Sequence, residues 1–473
     1  MYNPVSTYRI QFHAAFTFDD LENILPYLQE LGVTTVYASP VFTAMPGSTH
    51  GYDVLDPTTI NAEIGTEEKL QQISHVLHEA NMGWLQDIVP NHMAYDIRNP
   101  WVFDILEKGH SSIYANFFDV AWTSTLFQGR LMVPFLGQSL EEVIQNKELK
   151  LAYKDNRFVF TYHENSFPLH PRSYNTIFKE AGGAQAFLVL IREIENLHKA
   201  EDASIYRQQW HELLIQVDGI MRNKVLKEPV EKVLAAYNSD PSRLMELTGE
   251  QVYRLCDWKE TDGQINYRRF FTVNGLICLD IQHPEVFKAH HELIRQLVKE
   301  GVFQGLRIDH VDGLYDPHQY LEQLRESVGH DTYIVVEKIL EAGESLPATW
   351  PVQGTSGYEF LSLVNNLLTD GSNKQAFIDF YEELAGRQQS IREQVWEKKR
   401  HILYHHMSGE LENLFQLLMS SNLVAVPDYA QMRTEDIKTA MAEFLVHIPV
   451  YRLYGNHMPF EAEEVKAIES VFE

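Results

Sequence analysis

Apolar residues along the first 90 positions switch repeatedly between strand-like and helix-like spacing. Alternating or β-branched runs predict three strands, at residues 6–12, 33–37 and 84–89. Between them, residues 21–31 and 70–77 carry leucine, isoleucine or valine at every third or fourth position, which predicts two helices. Gly32 is suited to end the first helix, and Thr66 to cap the start of the second.

The same order of elements returns after residue 283. Pro284 opens a predicted helix that closes at Gly301, and a strand follows at residues 305–309. Asp316 caps another helix, and a strand at residues 333–336 comes after it. Strands that alternate with helices in this way predict a parallel sheet, either doubly wound or closed into a (β/α)8 barrel.

The loop after the first strand distinguishes between these two folds. Residues 12–16 contain no glycine-rich phosphate cradle, which disfavours a dinucleotide-binding sheet. Polar residues at the ends of several strands are typical of a barrel, because its reaction centre lies at the carboxyl-terminal rim. We therefore predict an α/β fold of the (β/α)8 TIM-barrel type.

We expect this barrel to be incomplete at its C-terminal end. The predicted strand count reaches six near residues 357–360. The apolar segments 423–427 and 444–450 could be further strands, but no carboxylate cluster follows them, and Asp428 is the only acidic residue beside the first. Without strands seven and eight, strands one and six would keep unpaired edges.

A long interruption separates the third and fourth strands. A strand-helix-strand unit needs about 30 residues, whereas this gap is several times longer and contains helical patterns near residues 186–197. We expect four segments: barrel strands one to three in residues 1–92, an inserted mainly helical domain in 93–265, barrel strands four to six in 266–370, and a helical subdomain in 371–473.

Composition narrows the classes of partner. The formal net charge is -27, which argues against nucleic acid and anionic membranes as partners. No apolar run is long enough for a membrane span, and residues 1–6 lack a basic segment followed by an apolar one, so we expect no signal peptide. The two cysteines, Cys256 and Cys278, provide no disulfide framework and no metal-ligand spacing. We expect a cytoplasmic protein without a metal or cofactor; a protein partner is not predictable.

Polar clusters follow strands two to five, where a barrel places its site. Taken singly, each has an ordinary interpretation as a loop cap, a turn, a structural ion pair or a solvated Glu337-Lys338 pair. Together, at one rim, they predict a functional site. The candidate residues are Tyr52, Asp87, Asn91, His92, Arg307, Asp309, His310 and Glu337.

Two carboxylates that flank a bond are the minimum for retaining glycoside chemistry. We expect Arg307 to contact Asp309 and to keep that carboxylate ionised, since a nearby cation lowers its pKa. Glu337 has no cation on its own face in the sequence, so a dry site would leave it protonated as the acid. His92 would hydrogen-bond a sugar hydroxyl, and the ring of Tyr52 would stack on the sugar.

These residues resemble the retaining alpha-amylase superfamily. The segments 87–92, 305–310 and 336–338 are similar to its first three signature segments, in the same order. Within it, the resemblance is strongest to the family of malto-oligosyltrehalose synthases, through residues 47–54, 307–314, 337–340, 354–360 and 449–454. Val311 stands where the family usually has proline, and the superfamily's third carboxylate, after strand seven, has no matching segment here.

The resemblance implies roles and a reaction. Asp309 would be the nucleophile, Glu337 the general acid/base, and Arg307, His92 and Tyr52 would line the subsite of the attacked glucose. The substrate would be a maltooligosaccharide, whose reducing-end α-1,4 bond is converted into an α,α-1,1 bond by intramolecular transglycosylation.

Other functions stay open at this point. The residues also fit an alpha-amylase, a 4-alpha-glucanotransferase, or a truncated and inactive glucan-binding protein. A metal-dependent barrel hydrolase would instead use His92, Asp309, His310 and Glu337, although no His-x-His pair follows strand one to complete its ligand set.

Overall fold

A computed structural model describes residues 2–124, 127–341, 343–386, 389–421, 432–455 and 458–472. The chain divides into two compact units, each described here by itself. The first unit comprises residues 1–91 and 281–473, and the second comprises residues 92–280.

The first unit is built on a curled parallel sheet. Among the described residues its strands are β1 (Thr7–Ile10), β2 (Thr35–Ala38), β3 (Gly83–Ile88), β4 (Gly305–Ile308), β5 (Tyr333–Val336) and β6 (Gly354–Thr355). Neighbouring strands pair in chain order without a reversal. A doubly wound sheet reverses its strand order at the middle, so this order confirms the barrel-type prediction.

Helices follow the strands of this unit where the apolar spacing predicts them. Thr66 caps its helix by accepting a bond from the Lys69 amide, and Asp316 caps another through the Gln319 amide. Gly32 ends the first helix with a φ of 82°, a conformation that costs glycine little. The helices are Phe18–Glu30, Glu67–Glu79, Pro284–Lys299, Pro317–Val328, Tyr358–Leu367, Lys374–Ala385, Ile391–His405, Ser408–Ser420, Thr434–His447 and Ala462–Glu469.

Four aromatic rings, including that of Trp84, pack together at the start of β3. Trp84 is fully buried and stacks with Phe12 on one side, with ring centroids 6.0 Å apart, and with Phe303 on the other, at 6.2 Å. Phe18 meets Phe12 edge-on. These contacts join β3 to the residue pair that follows β1 and to the residue pair that precedes β4.

Two predictions near the C-terminal end need correction. The sixth strand is Gly354–Thr355, whereas residues 358–360 open a helix after Gly357, whose φ of 100° favours glycine. Residues 444–447 end the helix Thr434–His447 and are not a strand, because the acidic first turn and the apolar spacing of that segment favour a helix. The segment 423–427 and Asp428 lie outside the described residues.

The second unit combines helices with short sheets. Its helices are Pro100–Lys108, Leu140–Gln145, Pro171–Ala181, Gln185–Leu197, Ala203–Arg222, Lys224–Ser239 and Pro241–Gly249. Its strands are His92–Ala94, Leu131–Leu136, Lys150–Lys154, Arg157–Tyr162, Asn165–Pro168, Tyr253–Asp257, Arg269–Phe270 and Val273–Cys278. The unit extends to residue 280 because Val273–Cys278 pairs antiparallel with His92–Ala94, which joins its first and last segments.

The remaining strands of the first unit, Phe42–Ala44 and Val54–Ile60, form an antiparallel pair in the long loop after β2. In the described part of the chain, every helix is too short or too polar to qualify as a membrane span.

Candidate active site

The candidate site lies where β3, β4 and β5 end. The parallel register sets Arg307 of β4 opposite Asp87 of β3 and Val335 of β5. Side chains alternate along a strand, so Arg307 and Asp309 project to the same face while Ile308 turns into the core. Three neighbouring strands therefore deliver charged groups to one point.

The Arg307 guanidinium joins three carboxylates of the described residues. Its Nη1 atom lies 2.7 Å from Asp309 Oδ1 and 2.9 Å from Asp87 Oδ1, and its Nη2 atom lies 2.9 Å from Glu337 Oε1. We call Arg307, Asp87, Asp309 and Glu337 the Arg307 cluster. Its geometry confirms the expected contact between Arg307 and Asp309. It corrects the expectation that Glu337 has no cation, because the long guanidinium reaches across to the neighbouring strand.

A second layer of donors surrounds Asp87, whose side chain is fully buried. Its Oδ2 atom accepts hydrogen bonds from the Tyr52 hydroxyl at 2.6 Å and the Tyr37 hydroxyl at 3.2 Å, and lies 3.2 Å from Arg9 Nη1. Arg9 also donates to the Tyr52 hydroxyl. Tyr52 thus orients Asp87 through its hydroxyl, a role that the expectation of ring stacking on a sugar did not include.

Sequence reasoning did not single out Arg9 and Tyr37. Both lie near the carboxyl ends of their strands, β1 and β2. The rule that polar residues at this rim build a barrel site would have found them.

Glu337 is held at its second oxygen by the backbone after β4. The His310 amide donates to Glu337 Oε2 at 2.8 Å. His310 has a φ of 46°, in the left-handed region, which turns the chain after Asp309. The turn is tight at Gly313, where an added Cβ would overlap the His310 ring and the Asn91 side-chain oxygen. Asn91 and His310 therefore shape the loop that positions Glu337.

The charges of the Arg307 cluster do not balance. Burial raises the pKa of Asp87 and of Asp309; Arg307 opposes both shifts. For Asp309 the neighbouring carboxylates of Asp87 and Glu337 add to burial and raise its pKa to about 8. The expectation that Arg307 keeps Asp309 ionised therefore needs correction for the unliganded protein: one guanidinium does not offset its burial and two carboxylates, so the cluster retains a proton near neutral pH.

A second buried cation lies next in sequence to Glu337. Lys338 is 1% exposed, and its ammonium lies 3.0 Å from Asp312 Oδ2 and 2.6 Å from Glu344 Oε1. The Tyr454 hydroxyl donates to Asp312 at 2.5 Å, and Arg452 donates to the Asp312 carbonyl at 2.6 Å. We call these five residues the Lys338 cluster. The interpretation of Glu337-Lys338 as a solvated pair is wrong, because Lys338 is buried with partners from two other segments.

His92 belongs to the second unit. It lies in the strand His92–Ala94 opposite Cys278, with its ring centroid 4.4 Å from that of Phe270. Its predicted contact with a sugar hydroxyl stays a prediction. Across the described residues, His, Cys, Asp and Glu side chains form no group of three or more with metal-binding geometry.

Comparisons with known proteins show which proteins this chain is similar to. Residues 17–167 match the model of the alpha amylase catalytic domain. A putative maltooligosyl trehalose synthase of Mycobacterium tuberculosis is 32% identical over 456 residues, which cover 95% of this chain and 48% of that protein.

Two solved structures of trehalose-forming synthases are also similar to nearly the whole chain. The maltooligosyltrehalose synthase from Arthrobacter ramosus superposes with a TM-score of 0.75 at 30% identity, over 98% of this chain and 50% of the other. A glycosyltrehalose synthase superposes with a TM-score of 0.74 at 32% identity, over 99% and 53%. The chain spans about half the length of the relatives that it matches.

Proposed function

We propose that this member of the alpha-amylase superfamily, related to the maltooligosyl trehalose synthases, performs retaining transglycosylation within a maltooligosaccharide. The reaction would convert the reducing-end α-1,4 bond into an α,α-1,1 bond. The observation that carries this proposal is the Arg307 guanidinium, which holds Asp309 and Glu337 together at the carboxyl-terminal rim. The similarity along nearly the whole chain to synthases of this kind supports the choice of reaction.

In the first step, ionised Asp309 attacks the anomeric carbon of the penultimate glucose. Protonated Glu337 gives its proton to the glycosidic oxygen, the α-1,4 bond breaks, and the terminal glucose is freed beside a glycosyl-enzyme. In the second step, Glu337 takes the proton from the 1-hydroxyl of that glucose. The resulting oxygen attacks the same anomeric carbon and releases Asp309, so two inversions retain the α configuration.

The first step needs one proton on the carboxyl pair, and that proton must lie on Glu337. The raised pKa of Asp309 supports retention of a proton by the two interacting carboxyls. Arg307 contacts both of them and stabilises whichever one is ionised. In the transition state the anomeric carbon gains partial positive charge. That charge would favour ionised Asp309 and shift the proton to Glu337.

The substrate-binding roles are part of the proposal. Asn91, His92, His310 and Tyr52 would bind or orient the sugar, together with Asp87. Cys256 and Cys278 are both buried thiols that form no disulfide, which would fit a reducing cytoplasm. The intermediate must be kept from water, because water in place of the freed glucose would yield a shorter reducing sugar.

Incubation with maltohexaose tests the proposal. Chromatography with mass detection and a reducing-end assay should reveal a non-reducing product of unchanged mass. Shorter reducing sugars would instead indicate an amylase, and a ladder of lengths a glucanotransferase. Unchanged maltohexaose, with binding detected by calorimetry, would indicate a glucan-binding protein. The Asp309→Asn variant is the control for a contaminating activity.

A further inference from the structure

The second unit contains an open cavity that the proposed reaction does not use. Its volume is about 570 Å³, within the range of about 300 to 1,000 Å³ that is typical of small-molecule sites. Residues of the helices Pro100–Lys108 and Ala203–Arg222, together with the first residue of the strand Arg157–Tyr162, supply most of its wall. The polar and charged residues that line it include Asp104, Lys108, Arg157, Ser204, Arg207 and His211. We call it the Arg157 cavity.

Two carboxylates at the Arg157 cavity are already paired within the protein. Asp104 forms an ion pair with Lys108, which is 6% exposed, and accepts a hydrogen bond from the Ser112 hydroxyl at 2.5 Å. Glu107 is buried and accepts a hydrogen bond from Arg157 Nε at 2.7 Å. The Lys108 ammonium also lies 3.7 Å from Glu107 Oε2. Both carboxylates are therefore engaged by cations of the cavity wall.

Several hydrogen-bond donors at the same wall are not engaged. Arg157 uses only its Nε atom in this network, so its two Nη groups donate to no other described residue. The Phe103 ring lies under this guanidinium, with 5.5 Å between the ring centroid and the guanidinium carbon. Arg207 and His211 are exposed and four residues apart on one helix, and neither forms a hydrogen bond or ion pair with a described residue.

The indole of Trp210 is a further donor without an acceptor. Trp210 also lines the cavity, is 1% exposed and meets Tyr174 edge-on, with ring centroids 4.9 Å apart. Its Nε1 atom has no hydrogen-bond partner among the described residues. Buried polar groups nearly always have a partner, so this N–H supports a ligand that brings acceptors to the cavity.

The charges of the Arg157 cavity favour an anion. Lys108, Arg157 and Arg207 are set against only two carboxylates, Asp104 and Glu107, so one positive charge is left over. This excess contrasts with the formal net charge of -27 for the chain. A guanidinium binds carboxylate or phosphate oxygens in pairs. A phosphate ester adds a charge of about -2 and three acceptor oxygens, which fits a site with several unused donors.

We propose that the Arg157 cavity binds a phosphate monoester of a small polar molecule. The Nη groups of Arg157 and the guanidinium of Arg207 would hold the phosphate oxygens. The volume leaves room for an organic group beside the phosphate, and Ser204 and Gln208 of the lining would bind its polar atoms. The proposal does not rest on the proposed reaction, because every residue that it uses lies in the second unit.

Calorimetry with the whole chain at low ionic strength tests this proposal. Glucose 6-phosphate is the ligand used, and it should bind at one site with a Kd of about 100 μM or lower. Inorganic phosphate should displace it, whereas glucose, its uncharged match, should not. Succinate, which carries two carboxylates, should bind about tenfold more weakly than glucose 6-phosphate or weaker still.

Variants locate the site. Arg207→Gln removes a cation that has no partner among the described residues, so it should weaken binding about tenfold or more and leave the melting temperature unchanged. Arg157→Lys keeps the charge but loses the planar fork, and should weaken binding about fivefold. Arg192→Gln is the matched control. It removes another exposed arginine of the second unit, on the helix Gln185–Leu197 and outside the cavity lining, and should leave the Kd unchanged.

Three results would overturn the proposal. The first is that neither glucose 6-phosphate nor inorganic phosphate binds. The second is an equal effect of Arg207→Gln and Arg192→Gln, because the ligand would then respond to overall charge rather than to this cavity. The third is succinate binding as tight as that of glucose 6-phosphate, because the cavity would then not select phosphate. If Arg157→Lys fails to fold, Arg207→Gln alone decides between these results.

Discussion

The Arg307 and Lys338 clusters are both built around one buried cation, yet they differ in charge balance. Arg307 faces the carboxylates of Asp87, Asp309 and Glu337, and Arg9 pairs with Asp87, so one negative charge is left over. Lys338 faces two, Asp312 and Glu344. In the second cluster Arg452 adds another positive charge beside Asp312, so the charges of its described members cancel.

The clusters also differ in access to solvent. The side chain of Glu337 is 26% exposed, whereas that of Lys338 is fully buried. In the Arg307 cluster, burial and the neighbouring carboxylates together raise the pKa of Asp309. In this comparison, charge imbalance rather than burial of charge as such supports the Arg307 cluster as the proposed reaction centre.

Replacement of Asp309 by Asn should produce the largest effect. An amide keeps the shape of the side chain but cannot attack an anomeric carbon, so turnover should fall by about 10⁴-fold or more. Binding of maltohexaose, measured by calorimetry, should stay nearly intact. Because the change removes a carboxyl from a cluster with too many, the melting temperature should not fall. Retention of a tenth of the original turnover would refute the assignment of Asp309 as the nucleophile.

Replacement of Lys338 by Met should lower stability, which Asp309→Asn should not lower. It leaves Asp312 and Glu344 buried without their cation, which should lower the free energy of unfolding by about 3 to 5 kcal/mol. Chemical denaturation measures the loss. Lys69 also faces two carboxylates, Asp19 and Glu22, but near the surface, and Lys69→Met is the matched control that should shift the denaturation midpoint little. Equal shifts for both variants would contradict a difference between buried and exposed clusters.

The protonation of Asp309 in the Arg307 cluster should make the stability of the protein depend on pH. The pKa of Asp309 is raised from 3.8 to about 8, so the folded state binds a proton that the unfolded state has lost. Its contribution to stability is complete below pH 3.8 and is lost as the pH rises through about 8. The slope is at most about 1.4 kcal/mol per pH unit. Melting temperatures of the unaltered protein should therefore fall between pH 5 and 8 relative to Asp309→Asn, and parallel curves would contradict this.

Removal of one hydroxyl in the balanced cluster should have the smallest effect. Tyr454→Phe deletes the hydrogen bond to Asp312 but keeps the ring, and should lower the free energy of unfolding by about 1 kcal/mol. Tyr8→Phe, at an exposed ring, is the control and should have no measurable effect. If Tyr454→Phe instead abolished turnover while stability held, the Lys338 cluster would take part in the chemistry.

Local patterns in the sequence predicted much of the fold. The spacing of apolar residues located β1 to β5 and the helices that follow them in the first unit, and Thr66 and Asp316 cap their helices as predicted. These features depend on neighbours a few residues away, so the sequence carries them directly. The alternation predicted a parallel sheet, and the lack of a glycine-rich loop after the first strand, with the polar strand ends, favoured the barrel order. The charged ends of β4 and β5 marked the candidate site.

Tertiary structure alone decided which charges meet and in what surroundings. Arg307 and Asp87 are 220 residues apart, and Tyr454 and Asp312 are 142 apart, so their contacts depend on strand register and chain return rather than on local spacing. The contact of Arg307 with Glu337 and the raised pKa of Asp309 follow from burial among groups of different strands. The sequence by itself determined which residue types lie at the rim, because the periodicity that places them is local. Their partners and protonation states depend on residues far apart in the chain, which only folding brings together.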